Sequence, residues 1–526
     1  MTSHVIEKTN IDPKGNDLMR SLTVHVRKAY VLKKFYISKQ KSRRQDSPRV
    51  ETERKVGCLG TEYYTRNRLV CTSQSVRKDR KVSGNMKEQK REQCSRVGET
   101  SSKKRKWYSL IDKIWSLSNL EQAFYEVKKN KGSHGVDKIT IKEYEAELEH
   151  NLRVLQQSLR DKSYRAKPVR RVYIPKADGT QRPLGIPTVG DRVLQAAVKR
   201  ILEPIFEQKF LPCSFGFRPN RSAHMAIQKI RQDLLEGYTY VIDADIKTYF
   251  DTIPHSNLLE MMKEEIVDSS VLELITQFLE SGILEDGVYY ESASGSPQGG
   301  VISPLLANIY LHPLDKMMTE RGHRITRYAD DFVICCKTRK GAERVLKSVG
   351  KLLEGQLKLV IHPTKTKIVD NLCEPFTFLG YTFKNGYYYK PSDKAVKKFK
   401  DKIKEITKKN QTVNLEEFIQ ERLNPVLRGW GRYFGMGFSK VLFTNLDSWI
   451  RRRLRMIQLR SWRKLKKLHR ELRRKKWKGE LPHLRMTKWR SSKCKPVSVA
   501  IPNERFRELR LVFLTDIYND LHLQRG

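Results

Sequence analysis

The chain of 526 residues is poor in cysteine, in acidic side chains and in uninterrupted apolar sequence. Its eight cysteines (58, 71, 94, 213, 335, 336, 373 and 494) include no C-x-x-C spacing, which leaves no support for a zinc site or a disulfide framework. The longest stretch without Lys, Arg, Asp or Glu, residues 292–314, includes Gly295, Pro297, Gln298, Gly299, Gly300, Pro304 and Asn308, a composition no membrane helix would choose. Residues 1–20 hold no apolar run of the secretory type. A cytoplasmic chain with no membrane partner is therefore expected. Asp and Glu number 59 against 104 Lys and Arg, a net charge of +45 that calls for a polyanionic partner.

The positive excess sits at the two ends. Residues 1–106 carry 28 basic and 11 acidic side chains, residues 107–395 carry 41 and 36, and residues 396–526 carry 35 and 12. A nearly neutral body between basic flanks reads as a core held to a phosphate backbone by its ends, since Lys and Arg gain affinity by releasing condensed counterions. A ribosomal or chromatin protein is the competing class, and the middle segment decides between them. Residues 81–106 lack periodicity and read as a solvated linker, so 1–106 form a basic N-terminal extension whose folding, and whose true start, the sequence leaves open.

From Trp107 apolar residues recur at helical spacing through LIDKIWSLSNLEQAFYEV, followed by a charged helix, ITIKEYEAELEHNLRVLQQSLR. Two extended pieces flank the turn Ala177-Asp178-Gly179-Thr180, and a helical repeat runs through DRVLQAAVKRILEPIFEQKF. The strand TYVIDADI, a helix around 257–280, the loop GSPQGG entering the helix VISPLLANIYLHPLD, and the hairpin RITRYADDFVICCK complete a mixed α/β segment with an antiparallel sheet. Alternation puts Asp243 and Asp245 on one face of their strand, while Asp330 and Asp331 stand at a turn between two apolar pieces. Acids buried there need a cation. A strand acid, an acidic turn, a glycine-rich loop and basic flanks together match what nucleotidyl transfer requires: hard oxygen ligands for two Mg²⁺ ions ~3.5 to 4 Å apart.

The ordered blocks FGFRPNRS (215–222), DADIKTYFD (243–251), GSPQGG (295–300) and YADD (328–331) resemble those of a reverse transcriptase. Ile174-Pro175-Lys176, Arg182-Pro183-Leu184-Gly185 and Phe378-Leu379-Gly380-Tyr381 narrow the resemblance to the reverse transcriptases encoded by bacterial group II introns, from about Trp107 onward. The resemblance implies a right-hand polymerase of mixed α/β (α+β) class: fingers and an antiparallel palm over 107–395, an α-helical thumb or maturase domain over 396–480, and a basic nucleic-acid-binding tail over 481–526. It makes Asp245, Asp330 and Asp331 the catalytic, metal-binding triad, with the Ile246 carbonyl as a further ligand of two Mg²⁺ ions. Phe250 would pack under the sugar of the incoming dNTP and exclude a 2′-hydroxyl, Lys176 and Arg182 would grip its triphosphate, and Gln298 would touch the nucleotide. Lys365 is at the position that protonates pyrophosphate, with Lys367 close by as a rival.

Residues 423–434, LNPVLRGWGRYF, open a stretch similar to the family's maturase domain, and residues 447–472 read as one helix. Residues 451–478 hold 15 Lys or Arg, with Trp449, Trp462 and Trp477 interleaved, which suits structured RNA even with the tryptophans in the core. Arg428, Arg451, Arg452, Arg453, Arg455, Arg463 and Lys464 are the candidate RNA contacts. The implied partners are the parent group II intron RNA, a DNA target or primer and dNTPs, with action at the bacterial nucleoid; pairing with a second copy stays open. Because no paired cysteines follow Cys373, an H-N-H endonuclease is not expected, and the primer would come from elsewhere. A splicing factor without polymerase activity, for which decay of the triad would speak, and a domesticated enzyme of phage defence are the alternatives. The intact triad and the full maturase-like region argue against them.

Overall fold

In the computed structural model the described residues are 106–175, 179, 181–285, 287–291, 295, 299–408 and 414–523. The chain divides into Met1–Thr100 and Ser101–Gly526, and the first unit, with the expected basic extension, lies outside the described residues. So do Lys176 and Gln298.

The strands are β1 (Val169–Pro175), β2 (Gln181–Ile186), β3 (Tyr240–Ala244), β4 (Ile283–Glu285), β5 (Val288–Tyr290), β6 (Arg324–Tyr328), β7 (Asp331–Cys336), β8 (Lys367–Asp370), β9 (Phe376–Phe378), β10 (Tyr381–Lys384) and β11 (Tyr388–Pro391). They form three sheets, in the orders β2-β1-β4-β5, β6-β7-β3-β8 and β11-β10-β9. The second is antiparallel throughout, as the sequence leads one to expect, whereas β1 and β4 of the first pair in parallel.

The central strands of the second sheet are apolar at successive positions because both faces are covered. Ile242, Ala244, Phe332 and Ile334 point into one core, built with helices that include α1 (Leu117–Asn130), α2 (Leu148–Arg160), α3 (Val189–Glu207) and part of α5 (Ser303–Glu320). Val241, Val333 and Cys335 point into a second core shared with α4 (Ala223–Leu235), α6 (Asn424–Phe434), α7 (Lys440–Trp462), α8 (Leu465–Arg474) and the start of α9 (Leu514–Leu523). The β6–β7 turn is thus the rim of a sheet held rigid from both sides.

Three expected helices are each divided. Residues 257–280 fold as His255–Lys263 and Ser269–Glu280, because Asp268 leaves the helix to accept from Ser270 N (3.1 Å), Leu110 N (2.7 Å) and Ile111 N (3.0 Å). The charged helix breaks at Glu147 into Ile141–Ala146 and α2, where Asn151 Nδ2 donates to the freed Tyr144 carbonyl (3.1 Å). Residues 447–472 break between α7 and α8 at Arg463, whose φ of 57° ends the helix. The described part of 481–526, expected as a tail, buries Met486, Val497, Ile501, Phe506 and Leu514 in the second core, since its apolar residues recur closely enough to pack.

Candidate active site

Residues Asp330 and Asp331 owe their place to a two-residue hairpin turn. Tyr328 pairs with Asp331, leaving Ala329 and Asp330 as the turn, and Ala329 takes a left-handed φ of 60°. On the neighbouring strand the ladder ends at the Ala244–Phe332 pair, so Asp245 stands level with Asp331 just beyond it. Its carbonyl accepts from His362 N (2.8 Å), and Ile246 bridges to Ile361, which ties the strand end to the segment leading to β8. Lys365, from that segment, donates to Asp245 Oδ2 at 2.5 Å.

The electrostatics follow from this crowding. Burial of the carboxyl first, and then the charges of Asp330, Asp245 and Asp243, push the Asp331 carboxyl up to about 7, although the residue as a whole is exposed. Asp330 is also raised, by burial and by Asp245, with Arg182 and Lys365 acting in the opposite sense. Asp243 reaches about 6, mainly through burial, with Lys367 lowering it and Asp245 raising it. Among the described residues no group of three or more His, Cys, Asp or Glu side chains is drawn together closely enough to hold a metal ion. The donor set nevertheless suits a hard cation: Asp330 and Asp331, each raised in part by the charge of Asp245, and Asp245 itself, which accepts from a lysine ammonium.

Around this rim the glycine-rich loop is anchored by close backbone approach. A Cβ at Gly299 would lie 2.5 Å from the Gly185 carbonyl oxygen of β2, and one at Gly295 would lie 2.8 Å from the Phe250 carbonyl oxygen. His255 Nε2 contacts the Gly295 carbonyl at 2.6 Å. Phe250 follows the Thr248–Tyr249 corner, half-buried, its ring edge-on to Tyr249 at 5.4 Å. Arg182 stands exposed on β2, close enough to Asp330 to bias its charge. The structure therefore gathers Asp245, Ile246, Asp330, Asp331 and Lys365 directly, with Arg182 and Phe250 at the margin.

The candidate RNA contacts fall into two groups. Arg428, Arg463 and Lys464 are exposed. Arg451, Arg452, Arg453 and Arg455 are half-buried, and three of them have intramolecular occupations. Arg453 lies between the rings of Trp449 (5.4 Å) and Trp489 (4.8 Å) and donates to Thr407 Oγ1 (2.5 Å). Arg455 covers Phe506 and donates to the Ile501 carbonyl (2.9 Å), and Arg451 covers Phe513. Burial lowers the pKa of all three. Trp449, Trp462 and Trp477 pack against the core, as expected.

Sequence reasoning missed Arg327 and Asp315, both without solvent access beneath the turn. The available signal was a charge set inside an apolar strand and another inside an apolar helix.

No helix among the described residues is long and apolar enough to cross a membrane. Residues 174–383 match the family of the reverse transcriptase (RNA-dependent DNA polymerase), and residues 396–477 match the group II intron, maturase-specific domain. Reverse transcriptases as a family use divalent metal ions. Protein YkfC of Escherichia coli is 36% identical over 292 residues, spanning 48% of this chain and 76% of its own. The group II intron-encoded protein LtrA of Lactococcus lactis is 35% identical over 298 residues, 44% of this chain and 49% of its own, so the chain spans about half of that relative. Among solved structures, the apo telomerase of Candida tropicalis aligns over 43% of this chain and 55% of its own at 17% identity, with a TM-score of 0.36. With both domain matches in chain order and a relative covered over most of its length, the chain belongs to the reverse transcriptases of group II introns that carry a maturase domain.

Proposed function

We propose that the chain copies its parent group II intron RNA into DNA from a DNA primer and dNTPs, and binds the same RNA to assist its splicing. The observation that supports this most is the meeting of Asp245, Asp330 and Asp331 from two adjacent strand ends, near enough that the charge of Asp245 raises both Asp330 and Asp331. These three carboxylates, with the Ile246 carbonyl, would hold two Mg²⁺ ions. When bound, such ions supply activation of the primer 3′-hydroxyl and neutralisation of the departing pyrophosphate. The 3′-oxygen attacks the α-phosphorus, and the bond to the β-phosphate oxygen breaks. Lys365, which donates to Asp245, would supply a proton to the departing pyrophosphate. Arg182 and Lys176 grip the triphosphate through charged donors, Gln298 meets the nucleotide, and Phe250 fills the space a 2′-hydroxyl would need.

On the RNA side, exposed Arg428, Arg463 and Lys464 engage phosphates, while Arg451, Arg452, Arg453 and Arg455 shape the surface that presents them. The domain limits 107–395, 396–480 and 481–526 are proposed with this division of labour, and the setting is the bacterial cytoplasm, with DNA reached at the nucleoid. The test is Mg²⁺-dependent dNTP incorporation on an RNA template with a DNA primer, run beside splicing of the intron RNA. Wild type extends the primer, Asp330→Ala does not, and both promote splicing. A wild type that promotes splicing and never extends a primer would overturn the polymerase half.

A further inference from the structure

The turn that carries Asp330 and Asp331 is clamped from below by a fully buried arginine. Arg327 Nε donates to Asp315 Oδ1 (2.8 Å), and the terminal nitrogens donate to Asp315 Oδ2 (2.5 Å), Asn308 Oδ1 (2.9 Å), Ser214 Oγ (2.8 Å) and the Ala329 carbonyl oxygen (2.9 Å). These bonds use all five N–H donors of a guanidinium. Four of them fix the fork to β6's neighbours, and the fifth reaches the turn itself. The backbone of Arg327 is held as well, by Arg327 N to the Cys213 carbonyl and Phe215 N to the Arg327 carbonyl, 2.9 Å each.

The residue so gripped is under conformational strain. Ala329 has a φ of 60°, a left-handed region that a residue with a Cβ adopts only at a cost. It is pressed from the other side by Gly216, where a Cβ would come within 2.3 Å of the Ala329 nitrogen and 2.9 Å of the Tyr328 carbonyl carbon. Asn308 joins the two jaws, accepting from Arg327 and donating to the Gly216 carbonyl (2.9 Å). An apolar side chain would fill this core without the desolvation cost of a buried ion pair, so the pair's bond to Ala329 calls for another explanation.

We infer that Arg327, braced by Asp315, Asn308 and Ser214, is a positioning residue for the reaction: it holds Ala329 in its left-handed conformation so that Asp330 and Asp331 project from the turn in one fixed direction. This rests on the polymerase reading, and it extends that reading to residues that touch neither substrate nor metal. The block 213–216 then serves as the upper jaw of the clamp.

The test uses Arg327→Lys, which keeps a positive charge opposite Asp315 but cannot supply a planar fork. Amide exchange at residues 328–332 quickens about 10-fold or more, with the thumb helices unchanged. In primer extension kcat falls about 100-fold, the scale of a misplaced reacting group, and KM for dNTP stays within about twofold. Adding Ala329→Gly to that variant restores kcat about fivefold, since glycine adopts the left-handed region without penalty. Ser214→Ala, a milder loss of one brace that leaves the Arg327–Asp315 pair intact, moves both readouts part of the way and guards against a lysine variant that fails to fold. Exchange at 328–332 that stays at the wild-type rate, or rises equally throughout the palm, overturns the inference, as does a kcat loss that glycine does not relieve. If the wild type extends no primer, the polymerase reading fails, and the exchange data still decide whether Arg327 holds the turn.

Discussion

Asp447→Ala should loosen the C-terminal helix selectively. Asp447 lies buried on α7, and its Oδ1 accepts from Leu514 N (2.9 Å) while Oδ2 accepts from Thr515 N (3.0 Å) and Thr515 Oγ1 (2.7 Å). It therefore caps α9 from a distant part of the chain, supplying the acceptors that the first turn of a helix lacks. Behind that cap α9 lies against Gly431 of α6 and Gly435 just past its end: a Cβ at Gly431 would sit 2.8 Å from Ile517 Cδ1, and one at Gly435 would sit 2.7 Å from Leu521 Cδ1. Losing a cap costs ~0.5 to 2 kcal/mol. Stranding a buried donor adds ~1 to 3 kcal/mol, and because the two overlap we take about 2 to 4 kcal/mol for the local opening of α9. That is an acceleration of amide exchange in residues 514–523 of roughly 30- to 1000-fold. Hydrogen exchange with mass spectrometry reads it, the palm strands serving as the internal reference. Asp447→Asn keeps an acceptor but not the charge and falls between. Exchange in 514–523 within about twofold of wild type would refute the assignment of Asp447 as the cap.

Arg453→Ala should lower the thermal midpoint of the helical domain, by the equivalent of ~1 to 3 kcal/mol, because it removes both the bond to Thr407 and the stack between Trp449 and Trp489. Replacing exposed Arg428, Arg463 and Lys464 together by Ala should leave that midpoint in place and flatten the salt dependence of RNA binding by about two units of log–log slope, measured by filter binding. Phe250→Ala should raise rNTP incorporation relative to dNTP in primer extension; unchanged discrimination would remove Phe250 from the nucleotide site. Because the Asp331 carboxyl is raised to about 7, it holds its proton below that pH, so Mn²⁺ affinity measured calorimetrically should fall as pH drops from about 8 to 6, a trend that Asp331→Asn abolishes. The metal-free chain shows the converse: stability linked to this carboxyl is complete below its ordinary value of 3.8 and is lost as pH rises through about 7.

Local pattern was enough for much of this molecule. The alternation in β3, the acidic turn between apolar strands, the glycine-rich loop before α5 and the uneven charge are properties of neighbours in sequence, and they placed the strands and singled out the carboxylates and a polyanionic partner as candidates. Charge alone did not say which arginines face outward. Arg453 and Arg428 look equivalent in sequence, but one is enclosed by Trp489 and Thr407, which arrive from 36 residues later and 46 residues earlier, and the other stands free on α6. Helix breaks at Asp268 and Arg463 were hidden for a similar reason, as Asp268 leaves its helix to bind Leu110 and Ile111 more than 150 residues away. What the sequence determined by itself was the set of chemical groups and their order. What only the tertiary structure decided was their company: the level at which Asp245 meets Asp331, the Lys365 ammonium on Asp245, and the buried Arg327–Asp315 pair beneath the turn, all set by long-range packing that no local spacing encodes.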